Sequence, residues 1–344
     1  MSPELPYRAQ AWLPGGHLQT IYPYVFRRLP APPLDRTRWD TPDGDFVDVD
    51  WLPGPADAPL LVLFHGLEGC SRSHYARALL RALKRIGWRA AVPHFRGCSG
   101  VPNRLARAYH SGDHDEIDWM LRRVAALTPS TPRFALGVSL GGNALLKWLA
   151  REEERACTLL LRAAAVSAPV DLAAAGHRLG QGFNRLYTWN FLRSLKRKSL
   201  AKLKTHPHIY PAAAVARARN LYEFDNLVTA PLHGFRDADD YWARASSKSE
   251  LKRIVLPTLL VHARNDPFLP GGHLPAGQEV SAAVRLEYPE QGGHAGFVSG
   301  AFPGHLDWLP QRVLGFFGHA LAQSRGAEDA SALAARSDGK AAMG

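Results

Sequence analysis

An α/β fold, doubly wound about a mostly parallel sheet, follows from two features of this 344-residue chain. Short continuous apolar runs of strand length alternate with segments of helical spacing, as strands covered by helices on both faces must. One such run ends in Gly137-Val138-Ser139-Leu140-Gly141-Gly142, where small residues two before and two after a serine let the chain turn sharply from strand into helix.

The elements follow in order. Arg36 to Trp51 alternates through Phe46, Val47, Asp48, Val49 and Asp50 after Asp43-Gly44, which predicts a hairpin with a tight turn. Leu60 to Phe64 is a buried strand, Tyr75 to Ile86 a helix, Arg89 to Pro93 a strand and Asp113 to Leu127 a helix. The strand ending at the serine comes next, then a helix from Asn143 to Ala150 and an apolar run from Thr158 to Val166. After Asp171 the alternation stops until residue 251, far beyond the roughly 15 residues a structureless loop tolerates. This predicts a helical cap insertion over about 172–251, rich in aromatics at Phe183, Tyr187, Trp189 and Phe191. The plainer alternative is an embellished connection. Alternation resumes with strands at Thr258 to Val261 and Ala283 to Tyr288, and a helix from Pro310 to Ala322 closes the domain over 36–322. Residues 323–344 carry no aromatic residue and are expected to be a disordered tail.

Composition narrows the class. Hydrophobic residues at 46% and charged residues at 21% describe an ordinary globular chain. Pro3, Pro6, Pro14, Gly15 and Gly16 interrupt the first thirty residues, where no signal peptide or spanning helix is visible, so the expected compartment is the cytoplasm. Lys and Arg number 42 against 31 Asp and Glu, a net charge of +11 that reads as mostly diffuse. Its densest part is Arg193, Lys196, Arg197, Lys198, Lys202 and Lys204. A helix of this kind can contact an anionic membrane surface or gather acidic substrates; the solvated face of an amphipathic helix is the simpler reading. No nucleic-acid-binding motif accompanies the charge, so no nucleic-acid partner is expected. Cys70, Cys98 and Cys157 are odd in number and lack metal-ligand spacing, which argues against a disulfide framework.

A G-x-S-x-G turn can carry an incidental serine, so the chemistry must be argued from its partners. A serine hydroxyl needs a base, the base needs a carboxylate to fix its tautomer, and the oxyanion needs preorganised donors. Asp266 follows the Thr258 to Val261 strand in Asn265-Asp266-Pro267, which by itself is also a good turn sequence. His294 follows the last strand in Gly292-Gly293-His294-Ala295-Gly296, a loop supple enough to bring an imidazole to the serine. His273 and His305 emerge from no predicted strand. The Leu140 amide comes with the turn, and Gly66 in His65-Gly66-Leu67-Glu68-Gly69 is free to aim the Leu67 amide at the same oxyanion. The rival cluster, His110 to Glu116 with two histidines and several carboxylates, could suggest a metal. Its acids fall where a helix starts, so N-capping explains them, and neither metal nor cofactor is expected.

With these residues in place, the chain resembles the YheT-like branch of the α/β-hydrolases, also called the AB hydrolase 4 family. The resemblance runs to about Ala322 and rests on Trp12-Leu13-Pro14-Gly15-Gly16-His17-Leu18-Gln19-Thr20, His65 to Gly69 with Ser73 and Tyr75, and Phe95-Arg96-Gly97-Cys98-Ser99-Gly100. It continues through Tyr109 to Gly112, Gly137 to Asn143, Tyr241 to Ser247, Asn265 to Pro267, and Gly293-His294. It implies an α/β-hydrolase fold, an N-terminal family segment over 1–35 packed on the core, and a Ser139, Asp266, His294 triad. The implied activity is that of an esterase or lipase on a small-molecule acyl ester or lipid. Transfer of the acyl group to an alcohol, or a non-catalytic binding role on the same fold, are the alternatives. The cap aromatics suggest an apolar acyl chain. Arg96 and His110 are signature residues expected to pack beside the site, and Cys70 stands where a small residue such as serine is expected.

Overall fold

Along the strand Leu60–Phe64 every residue is buried, and alternate side chains serve opposite sides of the sheet. Leu60, Val62 and Phe64 join Ile117, Leu145 and Trp148 on one face, while Leu61 and Leu63 join Leu79, Leu83 and Phe317 on the other. Each fully buried Leu or Phe contributes about 1.5–3 kcal/mol, so both cores depend on this central strand. The structure is a computed structural model and describes residues 6–26 and 29–322.

Eight strands form one sheet: β1 Asp35–Asp40, β2 Phe46–Leu52, β3 Leu60–Phe64, β4 Arg89–Pro93, β5 Arg133–Val138, β6 Arg162–Val166, β7 Thr258–Val261 and β8 Val284–Glu287. Their order is β1-β2-β4-β3-β5-β6-β7-β8, with β1, β2 and β4 paired antiparallel and the rest parallel. The predicted hairpin is β1–β2. From β3 the chain moves outward to β4, then returns across β3 to β5. The crevice beyond the C-terminal ends of β3 and β5 is therefore a topological switch point, where open α/β sheets bind ligands.

Two local expectations change. The helix after the serine spans Leu140–Glu152 rather than starting at Asn143, because Gly141 and Gly142 form its first turn. The run expected as one strand from Thr158 divides into a short helix Ala156–Leu159 and β6; an Arg133 side chain takes the Leu159 carbonyl at 2.9 Å.

Between β6 and β7 the chain forms a helical insertion that includes Leu172–Leu179, Arg185–Lys202, Ala212–Arg217 and Ala238–Ala245. It has an apolar cluster of its own, with Leu192, Tyr210, Val215 and Phe224. The solvated-face reading of its basic helix needs correction. Lys198 reaches inward to the Glu68 carboxylate at 2.8 Å, and Lys202 donates to the backbone carbonyls of Asn103 and Leu105, each at 2.7 Å. Both ammonium groups bind the insertion to the loops that follow β3 and β4.

The helix Gly16–Phe26 lies against the loops after β7 and β8. Ahead of it the Tyr7 hydroxyl donates to the Val298 carbonyl at 2.8 Å and the Trp12 indole to that of Gly300 at 3.1 Å. A last helix spans 308–322, and the tail expectation over 323–344 lies outside the described residues. No helix among the described residues is long and apolar enough to cross a membrane.

Candidate active site

The turn after β5 sets the serine in a conformation side chains seldom adopt. Ser139 has φ +54°, and its amide is held by the Val166 carbonyl at 2.8 Å. A Cβ on Gly137 would lie 2.4 Å from the Gly141 carbonyl oxygen, so the sharp strand-to-helix turn requires glycine there. Ser139 Oγ points at His294, whose Nε2 is 2.9 Å away. His294 Nδ1 is 2.8 Å from Asp266 Oδ2. An ionised carboxylate only accepts hydrogen bonds, so Nδ1 carries the proton and the Nε2 lone pair receives the serine O–H.

Asp266 is buried. Burial alone would raise its carboxyl, but the His294 and His262 imidazoles outweigh this and hold it well below the usual carboxylate range. The other carboxylate oxygen accepts the Phe268 amide at 2.8 Å, and the Phe268 ring stacks on His294 with centroids 4.0 Å apart. His262 Nε2 lies 3.2 Å from Asp266 Oδ2. Neither His262 nor Phe268 is among the residues read from the sequence, although His262 stands at the end of β7, four residues before Asp266.

Around the predicted donor loop, the neighbouring amides are already taken. Gly66 donates to the Tyr75 hydroxyl and Glu68 to the Tyr109 hydroxyl, each at 2.8 Å. Among the described residues the Leu67 amide between them has no hydrogen-bond partner, nor has the Leu140 amide. His65 fixes this loop from below. Its Nε2 accepts the Phe95 amide at 3.1 Å, which leaves Nδ1 to donate to the Gly66 carbonyl at 2.8 Å. Burial, with the charge of His94, lowers its pKa to about 3, so it remains neutral.

The N-terminal segment fixes the other two loops to each other. Gln19 Oε1 accepts from Asn265 Nδ2 and from the Gly292 amide, both at 2.9 Å, and Gln19 Nε2 donates to Gln291 at 2.8 Å. Thr20 Oγ1 accepts the His294 amide at 2.9 Å and donates to the Gly16 carbonyl at 2.6 Å. A Cβ on Gly16 would sit 2.0 Å from the Asn265 carbonyl oxygen, so the contact closes only around glycine. One short segment thus joins the Asp266 loop to the His294 loop.

Ser139, Leu67, Leu140 and His294 open into a cavity of about 850 Å³ between the sheet edge and the insertion, walled by apolar side chains such as Leu172, Leu179, Leu195 and Phe224. Of the four cap aromatics, Phe191 lies in this wall. Phe183 and Trp189 are exposed, and Tyr187 packs on Phe268 while its hydroxyl lies 3.1 Å from His17 Nδ1. The expectation that all four line the site is therefore corrected. On a helix, residues two apart point about 200° from each other, so Trp189 and Phe191 cannot face the same cavity.

Arg96 lines the cavity and is paired with Glu116, Asp43 and Asp45; His110 lines it beside His233 and Tyr241. Capping does not account for Asp113, whose carboxylate makes no cap bond and instead pairs with Arg107 at 2.6 Å. Cys70 is not in the cavity wall. Among the described residues no group of three or more His, Cys, Asp or Glu side chains is placed to hold a metal.

Comparison with known proteins adds independent support for the fold. The family model described as the alpha/beta hydrolase fold matches residues 59–301. The chain is 41% identical over 303 residues to YheT of Escherichia coli strain K12, an esterase candidate by its name, covering 86% of this chain and 88% of that one. It is 29% identical over 298 residues to the mouse (Mus musculus) protein named Phospholipase ABHD3, covering 82% of this chain and 71% of the relative. Among solved structures, Est1E of Butyrivibrio proteoclasticus with ferulic acid bound aligns with a TM-score of 0.54 at 15% identity, over 83% of this chain and 99% of that one. The eight-stranded sheet with its reversal at β3 and β5, the family match and the YheT likeness agree: this chain belongs to the α/β-hydrolases, in their YheT-like branch.

Proposed function

We propose that this protein is a serine hydrolase that cleaves carboxylic esters with apolar acyl chains. The observation that carries the reading is the hydrogen-bonded chain from Ser139 Oγ through His294 to Asp266, facing a largely apolar cavity. In this reading Ser139 attacks the ester carbonyl while His294 Nε2 takes its proton, and the Leu67 and Leu140 amides bind the developing oxyanion. His294 then returns the proton to the leaving alcohol, and water, activated by the same imidazole, releases the acyl group. Asp266 holds the tautomer throughout. The esterase and phospholipase names of relatives fit an ester or lipid substrate.

A fluorophosphonate probe added to folded protein is expected to label Ser139 covalently, and Ser139→Ala to remove the label. Across p-nitrophenyl esters of increasing chain length, kcat/KM should rise beyond acetate as the chain fills the cavity. Absence of labelling would overturn the nucleophile assignment, and preference for acetate or charged acyl groups alone would overturn the apolar one.

Thr20 is a positioning residue in this scheme. Thr20→Val removes the hydroxyl that holds the His294 amide, and a displacement of the base on the order of 1 Å costs about 10²-fold in rate. The expected result is a fall in kcat of about that size with KM little changed, restored by Thr20→Ser. Equal loss in the valine and serine variants would rule out the hydroxyl as the cause.

A further inference from the structure

We propose that the outer faces of the helices Gly16–Phe26 and Arg185–Lys202 form one surface that docks on an anionic lipid bilayer. Large apolar side chains are concentrated there. Phe26 is 67% exposed, Phe302 73%, Trp189 58% and Phe183 55%, with Leu18 and Leu186 about half exposed. The rings run continuously: Phe302 meets Trp12, Trp12 meets Tyr22, and Tyr22 meets Phe26, with centroids 5.1–5.4 Å apart. On the same helix, His17 meets Phe183 at 4.6 Å and so joins the insertion to the patch. The other exposed large apolar residues, such as Ile86 and Leu127, are far apart in sequence and on other helices, and isolated ones need no explanation.

Charge selects the occupant. Residues 5–34 contain three arginines and no Asp or Glu, and residues 172–222 contain ten Lys and Arg and again no Asp or Glu. The remainder of the chain holds 29 basic against 31 acidic residues, so the positive excess belongs to these two segments and is not diffuse. Lys198 and Lys202 turn inward, but Arg178, Arg185, Arg193 and Arg197 are exposed, and the Arg193 guanidinium lies over the Trp189 ring at 5.3 Å. Exposed aromatic and aliphatic side chains carried mainly by two segments that hold arginines and no Asp or Glu match the headgroup and upper acyl layers of an anionic membrane. A protein partner would need no such one-sided charge. Helix Arg185–Lys202 also places Phe191 and Leu195 in the cavity wall, so the bilayer would rest against the outside of that wall.

The test uses the full chain and sedimentation with vesicles of phosphatidylcholine alone or with about 30 mol% phosphatidylglycerol. Binding is expected to be at least about tenfold tighter to the anionic vesicles and to weaken as salt is raised. Phe26→Ser with Trp189→Ser, and separately Arg185→Glu with Arg193→Glu, should each reduce it about tenfold or more. Turnover of a water-soluble ester should stay unchanged, which separates loss of docking from loss of fold. Failure to bind anionic vesicles, or binding indifferent to both double variants, would overturn the proposal. So would a stable dimer by light scattering that the serine variants convert to monomer, since a second copy would then be the occupant.

Discussion

Ser139→Ala and His294→Ala are each expected to lower kcat on a short p-nitrophenyl ester by roughly 10⁶-fold, and Asp266→Asn by roughly 10⁴-fold. The ordering follows from what each group does. In the proposed mechanism Ser139 carries the acyl group and His294 takes the proton, so loss of either removes the acylation step. The asparagine variant keeps its shape, and its carbonyl oxygen can still accept the Phe268 amide. Its NH₂ would then face His294 Nδ1, so the imidazole would move its proton to Nε2 and present N–H to Ser139, the wrong tautomer for a base. Residual rate over water would survive through the Leu67 and Leu140 amides. The alanine double variant of Ser139 and His294 should be no slower than either single one, because residues that act as a unit are not additive. Wild-type turnover in any one of the three single variants, with circular dichroism unchanged, would defeat the mechanism.

Gly141→Ala is expected to cost about 3 kcal/mol of folding stability, the upper part of the overpacking range. Its Cβ would stand 2.5 Å from the carbonyl oxygens of both Phe64 and His65. Neither can withdraw as a flexible side chain would. Both are backbone atoms, and Phe64 is registered against Gly137 in the β3–β5 pairing. An alanine in a helix interior ordinarily gains up to about 1 kcal/mol over glycine, so helix propensity alone predicts the opposite sign. Urea unfolding settles which effect dominates, through a lower midpoint with unchanged slope. A variant as stable as the parent would show that the elbow tolerates a methyl group and that the close approach is not a constraint.

The buried strands were legible because their residues carry their own information: Leu60 to Phe64 and Leu259 to Val261 are apolar throughout, and short runs of that kind have few other uses. Ser139, Asp266 and His294 were legible because each follows a strand, and strand C-termini in such sheets meet at one edge. What holds them was not. Gln19 is 246 residues from Asn265 and 273 from Gly292, and nothing local to Gln19 announces partners that far away. The cap aromatics misled for a different reason. Their closeness in sequence suggested closeness in space, whereas helical rotation sends Trp189 outward and Phe191 inward. Asp113 looked like a cap because it precedes a helix, but a half-buried Arg107 six residues back claims its carboxylate. Position relative to an element predicts a backbone role, and only folding reveals a competing side chain.

The bridge through Gln19 also orders events in time. Gln19 leaves the ribosome early, Asn265 much later, and Gln291 and Gly292 among the last of the domain. A nascent chain can complete β1 to β6, present Ser139 at its elbow and still lack a fixed base. On the proposed mechanism, Ser139 would therefore gain its base only once the N-terminal segment has met the loops after β7 and β8.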